Sequence, residues 1–138
     1  MFIKLTSEKI DLQDALQAVR HASCGAVVTF EGNIRVENQG KNVFSLEYEV
    51  YKDFFHSEVG RIVEEIKEQW PIHELALIQR VGKLEVGETG IFIAISSPHR
   101  REALGSLSYA IEQFKKRAPV WKKEYYKEEE TWISCQHS

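Results

Sequence analysis

Gly90-Ile-Phe-Ile-Ala-Ile-Ser-Ser-Pro-His-Arg100 reads as a strand that runs directly into a helix. Five consecutive apolar residues, Ile91 to Ile95, leave neither face of the strand polar, so it belongs in the middle of a sheet covered on both sides. Ser97 suits an N-cap and Pro98 the first helical position, with His99 and Arg100 in the first turn. The helix extends to about Arg117, Pro119 follows it, and Val120 to Tyr126 has the composition of a further strand. An acidic turn, Glu128-Glu129-Glu130, then leads to a last strand, Thr131 to Cys135.

Toward the N-terminus, Phe2 to Leu5 is a short strand, and Asp11 to His21 a helix with Leu12, Ala15, Leu16 and Val19 on one face. Gly25 to Arg35 (GAVVTFEGNIR) is a strand in which Gly32 marks a bulge or close approach. Val43 to Tyr51 alternates, with Phe44, Leu46, Tyr48 and Val50 on one face and Glu47 and Glu49 on the other. These two strands are expected to pair as a hairpin across the polar loop Val36 to Asn42. Lys52 to Trp70 is an amphipathic helix carrying Phe55, Val59, Ile62, Val63, Ile66 and Trp70 at steps of three and four, and Pro71 stops it. Glu74 to Val81 is another strand, joined to the central one by Gly82 to Glu88, which has room for a short turn of strand. The order of elements predicts an α+β fold rather than a regular parallel sheet.

The chain has 138 residues, 43% of them hydrophobic and 28% charged, with 3 prolines and 8 glycines. That composition excludes a disordered or collagen-like chain and suits one domain over residues 1–138. No apolar run reaches the roughly 18 to 20 residues that cross a bilayer. Met1 to Thr6 lacks the basic and apolar regions of a secretion signal, so a soluble cytoplasmic protein is expected. Cys24 and Cys135 are far apart and form no metal-ligand pattern, which fits two reduced thiols and predicts no metal and no cofactor. Walker, GxGxxG, HExxH and GxSxG motifs are absent.

The net charge of −3 argues against general nucleic-acid binding. The charge is uneven, however: between His99 and Lys123 seven lysines and arginines stand against two glutamates. An acidic body with one basic stretch suits a protein that holds a small anion. At the start of the helix, free backbone N–H groups, the helix dipole and Arg100 converge on such an anion. At its end, Lys115 lies about 20° from Leu104 and 40° from Ile111 on a helical wheel, so it borders the apolar face. A partly desolvated lysine there is a candidate general base, nucleophile or oxyanion partner. In the next strand Lys122 shares a face with Val120 and Glu124 and can point back toward a pocket near Pro119. Arg35, after Gly32, could clamp a phosphate, and Phe30 could wall a ring.

Spacing adds a constraint. Sixteen residues separate His99 from Lys115, which is about 24 Å along a straight helix. If both serve one small ligand, the site must straddle two copies of the chain, which predicts a homodimer with shared pockets.

GAVVTFEGNIR, the SSPHRREA turn and FKKRAPVWKKE, in this order, resemble the large, catalytic subunits of molybdopterin synthases; the likeness spans roughly residues 25 to 133. It implies an α/β hammerhead fold with an additional small antiparallel sheet. It further implies a central homodimer within a heterotetramer, each end binding a small ubiquitin-like subunit whose C-terminal thiocarboxylate threads into the pocket. Sulfur would pass from that thiocarboxylate to cyclic pyranopterin monophosphate, forming the dithiolene of molybdopterin. By the same resemblance Lys115 and Lys122 are catalytic, Phe30 and Arg35 bind substrate, and His99 and Arg100 reach the pocket from the neighbouring copy. Some relatives have an arginine after the C-terminal tryptophan, whereas here Trp132 is followed by Ile133-Ser134-Cys135-Gln136. Without the resemblance, the same residues would also suit a non-catalytic module for phosphorylated ligands or, less well, a single-stranded RNA surface built on Trp121, Tyr125 and Tyr126.

Overall fold

The computed structural model describes residues 1–38, 40–126 and 130–134. Along them run β1 (Phe2–Thr6), α1 (Leu12–Val19), β2 (Ala26–Asn33), β3 (Glu37–Asn38), β4 (Lys41–Val50), α2 (Lys52–Gln69), β5 (Glu74–Arg80), β6 (Gly82–Glu85), β7 (Thr89–Ser97), α3 (Arg100–Arg117), β8 (Val120–Tyr126) and β9 (Glu130–Ser134). Two sheets result. The first has the order β1-β5-β7-β2, with β1 parallel to β5 and the other pairs antiparallel. The second has the order β3-β4-β8-β9, with β6 also paired to β4.

The apolar strand β7 lies inside the first sheet, as its composition requires. Ile93 and Ile95 project into a core with Leu75 and Leu77 of β5 and the inner faces of α2 and α3. Phe92 and Ala94 project to the opposite side, where α1 covers them with Ala15 and Val19. Helix α2 contributes Phe55, Val59, Ile62, Val63 and Ile66, all buried, each worth roughly 1.5–3 kcal/mol when removed from water. No helix among the described residues is long and apolar enough to cross a membrane.

The expected hairpin of β2 with β4 does not form. Strand β2 pairs with β7, Phe30 opposite Ile93, while β4 pairs with β8 and β6. The crossing point is Ile34. It is buried with Leu46 and Leu84 in a small core of its own, and it exchanges backbone hydrogen bonds with Gly87 and Glu88. Burying Ile34 in the second layer carries the chain out of the first sheet. Strand β7, apolar on both faces from Ile91 to Ile95, meanwhile needs a second neighbour to complete its ladder, and β2 supplies it.

The start of α3 also differs from expectation. Helical geometry begins at Arg100, and His99 is the extended N-cap residue, with no side-chain capping bond. Ser97 is still paired to Ala26 in the ladder, and the Pro98 carbonyl accepts a hydrogen bond from the Gly25 N–H at 3.2 Å. Those contacts hold the backbone extended past Ser97. They also require a glycine, since a Cβ at residue 25 would come within 2.9 Å of that carbonyl oxygen.

Candidate active site

A cavity of about 360 Å³ opens where the end of β2, the inner faces of β4, β7 and β8, and the last turns of α3 converge. Gly32 shapes it. The register with β7 shifts between Gly32 and Asn33, and a Cβ on Gly32 would lie 2.6 Å from Cγ2 of Ile91. The bulge sends Ile34 into the second core and leaves Arg35, exposed, at the cavity wall. Phe30, Ile91, Ile93, Ile111 and Phe114 form apolar walls.

Two lysines from different elements reach the same cavity. Lys115 comes from the last turn of α3, half-buried beside Ile111 and Phe114. Lys122 comes from β8, where the alternation Val120, Lys122, Glu124 points inward as the sequence predicts, and it is only 7% exposed. Its Nζ lies 3.6 Å from Oε1 of Glu124, itself 1% exposed, and Tyr126 Oη donates to the other Glu124 oxygen at 2.8 Å. A buried ammonium needs such a counter-charge, since desolvation alone would neutralise it.

Leu104 does not share the cavity with Lys115; it is 56% exposed. The helical wheel gives its angle correctly but not its height, about 16 Å nearer the N-terminus of α3, where nothing covers it. His99 and Arg100 are likewise exposed and do not line the cavity. Helix α3 is continuous from Arg100 to Arg117, so the two ends stay a full helix length apart.

The basic stretch divides rather than forming one patch. Arg117 is committed to α2: its Nε donates to Glu58 at 2.9 Å, and Nη1 and Nη2 donate to the two oxygens of Glu65 at 2.7 and 2.9 Å. Hydrogen bonds from Arg117 and then Tyr109 hold the Glu65 carboxyl down at about 2, and the Glu65 carboxylate in turn pushes the Tyr109 hydroxyl up. Lys116 pairs with Glu112 at 2.9 Å. Lys123 lies over the Tyr125 ring, 5.4 Å from its centroid. Lys115 and Lys122 are the members of the stretch that reach the cavity, with Arg35 joining them from the segment just after β2.

Three further cavity residues were not singled out from the sequence. Glu124 was visible only as a marker of the inward face of β8. Tyr48, cross-strand neighbour of Lys122, was assigned to a packing face. Gln79 carried a signal in plain view, a polar residue directly after the apolar run Leu75 to Ile78 of β5 and on the same face as Leu75 and Leu77. No group of three metal-ligating side chains is arranged for a metal among the described residues. Cys24 is a free, partly buried thiol, whereas Glu128, Glu129, Cys135 and Gln136 lie outside the described residues.

A cavity with apolar walls and three converging cations suits a small anionic ligand that carries a ring. Residues 5–117 match the family described as MoaE protein, and the chain belongs to that family. It is 42% identical to the molybdopterin synthase catalytic subunit of Homo sapiens, over 94% of this chain and 69% of that one. It is 35% identical to the subunit of the same name from Halalkalibacterium halodurans, over 96% and 85% of the two chains. The crystal structure of molybdopterin synthase from Staphylococcus aureus superposes with a TM-score of 0.90, at 33% identity and 94% coverage of both chains. With that membership the α+β architecture is the family's fold, and the chain takes its place among the enzymes of molybdopterin formation.

Proposed function

We propose that this chain transfers sulfur from the C-terminal thiocarboxylate of a small ubiquitin-like subunit to cyclic pyranopterin monophosphate, building the dithiolene of molybdopterin. The observation that carries this reading is the meeting of Lys115 and Lys122, from a helix end and from a strand, in one apolar-walled cavity with Arg35 and Phe30. In such a site Arg35 and the lysines bind phosphate, and Phe30 packs on the ring. Two such transfers build the dithiolene: as each thiocarboxylate sulfur bonds to a substrate carbon, that carbon gives up an oxygen, the ester oxygen of the cyclic phosphate at one carbon and a carbonyl oxygen lost as water at the other, and the acyl group becomes a thioester. Water then releases the partner's carboxylate and leaves sulfur on the pterin. Lys115 stabilises the negative charge that develops in both steps, an effect strengthened where water is excluded. Because the sulfur arrives with the partner, no cysteine of this chain takes part.

His99 and Arg100 complete the pocket of a second copy, which makes the working unit a central homodimer within a heterotetramer, acting in the cytoplasm as a single domain per chain. The test is molybdopterin formation from purified chain, thiocarboxylated small subunit and cyclic pyranopterin monophosphate. Product with wild type and none with Lys115→Ala, the dimer still folded, is the expected result. Lys115→Ala activity within tenfold of wild type overturns the lysine's role, and absence of product while the partner is bound overturns the reaction.

A further inference from the structure

On the helix-facing side of the first sheet, β5 presents Leu75, Leu77 and then Gln79. The first two are core residues. Gln79 takes the next position on that face and is 1% exposed, where the periodicity asks for another apolar chain. Its cross-strand neighbours are Leu5 and Ile91, and beyond Ile91 lies Gly32. A single row therefore crosses the sheet from Leu5 to the glycine that opens the cavity, and Gln79 lines that cavity.

The carboxamide is anchored at one end. Its Nε2 donates to the Arg80 carbonyl at 2.9 Å, the one hydrogen bond of this side chain among the described residues. That bond identifies the nitrogen end of the amide, so the oxygen remains to accept from whatever fills the cavity. Buried polar groups normally have partners, and at the wall of the cavity this oxygen is met by water or by a ligand that displaces it. Asn33, the other carboxamide on the cavity, differs: it is exposed, and its oxygen already accepts from Thr89 Oγ1 at 2.7 Å.

We infer that Gln79 is a specificity-determining residue that reads the ring of the substrate, its oxygen accepting from the exocyclic amino group of a pterin. The inference rests on the cavity being the pterin site proposed above and deepens it. Lys115, Lys122 and Arg35 recognise phosphate whatever ring carries it, and the apolar walls stack any flat ring. Gln79 supplies the discrimination those groups lack. A site built to accept a hydrogen bond rejects an analogue that presents a carbonyl instead, because two acceptors then face each other.

The test is fluorescence titration of the purified chain with a pterin monophosphate and with its lumazine counterpart, in which an oxo group replaces the amino group. Wild type should prefer the pterin by about tenfold or more, the worth of one such hydrogen bond in a buried site. Gln79→Met and Gln79→Leu, both compatible with the apolar face, should reduce the preference to within about twofold through weaker pterin binding, while inhibition by inorganic phosphate stays unchanged. An undiminished preference in folded variants, or no preference in wild type, overturns the role of Gln79. If wild type binds neither compound, the pterin-site reading falls and this inference falls with it, a result distinct from equal binding of both.

Discussion

Lys122 Nζ and Glu124 Oε1 stand 3.6 Å apart, two residues apart on one strand, with both side chains almost wholly removed from water. A charge pair placed this deep is justified by chemistry more readily than by stability, since well-packed apolar replacements of buried pairs are often neutral or stabilising. Glu124→Gln should destabilise the chain by about 3 kcal/mol, because it removes the buried carboxylate that faces the Lys122 ammonium. The double variant Lys122→Met/Glu124→Leu should recover most of that loss yet form no molybdopterin. Urea denaturation alongside the turnover assay separates the two effects; an active double variant would contradict a chemical role for the pair.

The tie between the two long helices is pH-dependent. Glu65 ordinarily titrates near 4.5 and is held at about 2, chiefly by its hydrogen bonds to Arg117. A carboxyl depressed on folding contributes stability that is fully present above the unfolded value and is lost as pH falls through the folded one. Glu65→Gln should therefore melt below wild type at pH 6, with the gap closing between about pH 4.5 and pH 2. Thermal melts across that range check it, and a gap independent of pH would show that the ion pair is not its source.

Gly32 is expected to tolerate no side chain. A methyl group there meets Ile91 Cγ2 at 2.6 Å, so Ile91, half-buried on the cavity wall, must shift to admit it. Gly32→Ala should cost about 1–3 kcal/mol and narrow the cavity, lowering turnover. Adding Ile91→Ala should restore part of the stability. A Gly32→Ala protein as stable and as active as wild type would remove the close approach as the reason for glycine.

The separation of His99 from Lys115 along α3 gives a test of site sharing. His99→Ala and Lys115→Ala should each be inactive alone. Co-expressed, they should recover about a quarter of wild-type activity, since half the dimers are mixed and one of the two pockets in each is intact. No recovery, with mixed dimers demonstrated, would place His99 outside the shared pocket.

The reading of β7 as an interior strand, of α2 as a packing helix and of Lys122 as inward-facing came from local periodicity, and the structure has each of them. The pairing of β2, the exposure of Leu104 and the N-cap at His99 did not follow from it. Each depends on an atom remote in sequence: β7 beside β2, empty space above Leu104, and the Gly25 N–H on the Pro98 carbonyl.

By itself the sequence determined the element types, except that Val36 to Asn42, read as a loop, holds β3 and the start of β4, together with the 24 Å reach from His99 to Lys115 at about 1.5 Å per residue and the residues available for chemistry, because backbone periodicity and helical rise are local properties. Only the tertiary structure decided which cations tie the helices together and which line the cavity. Arg117 and Lys115 are two residues apart on one helix, yet Arg117 is held by Glu58 and Glu65 while Lys115 reaches the cavity beside Lys122. Two residues along a helix is about 200° around its axis, so the same basic run faces two different neighbours, and it is those neighbours that assign each charge its role.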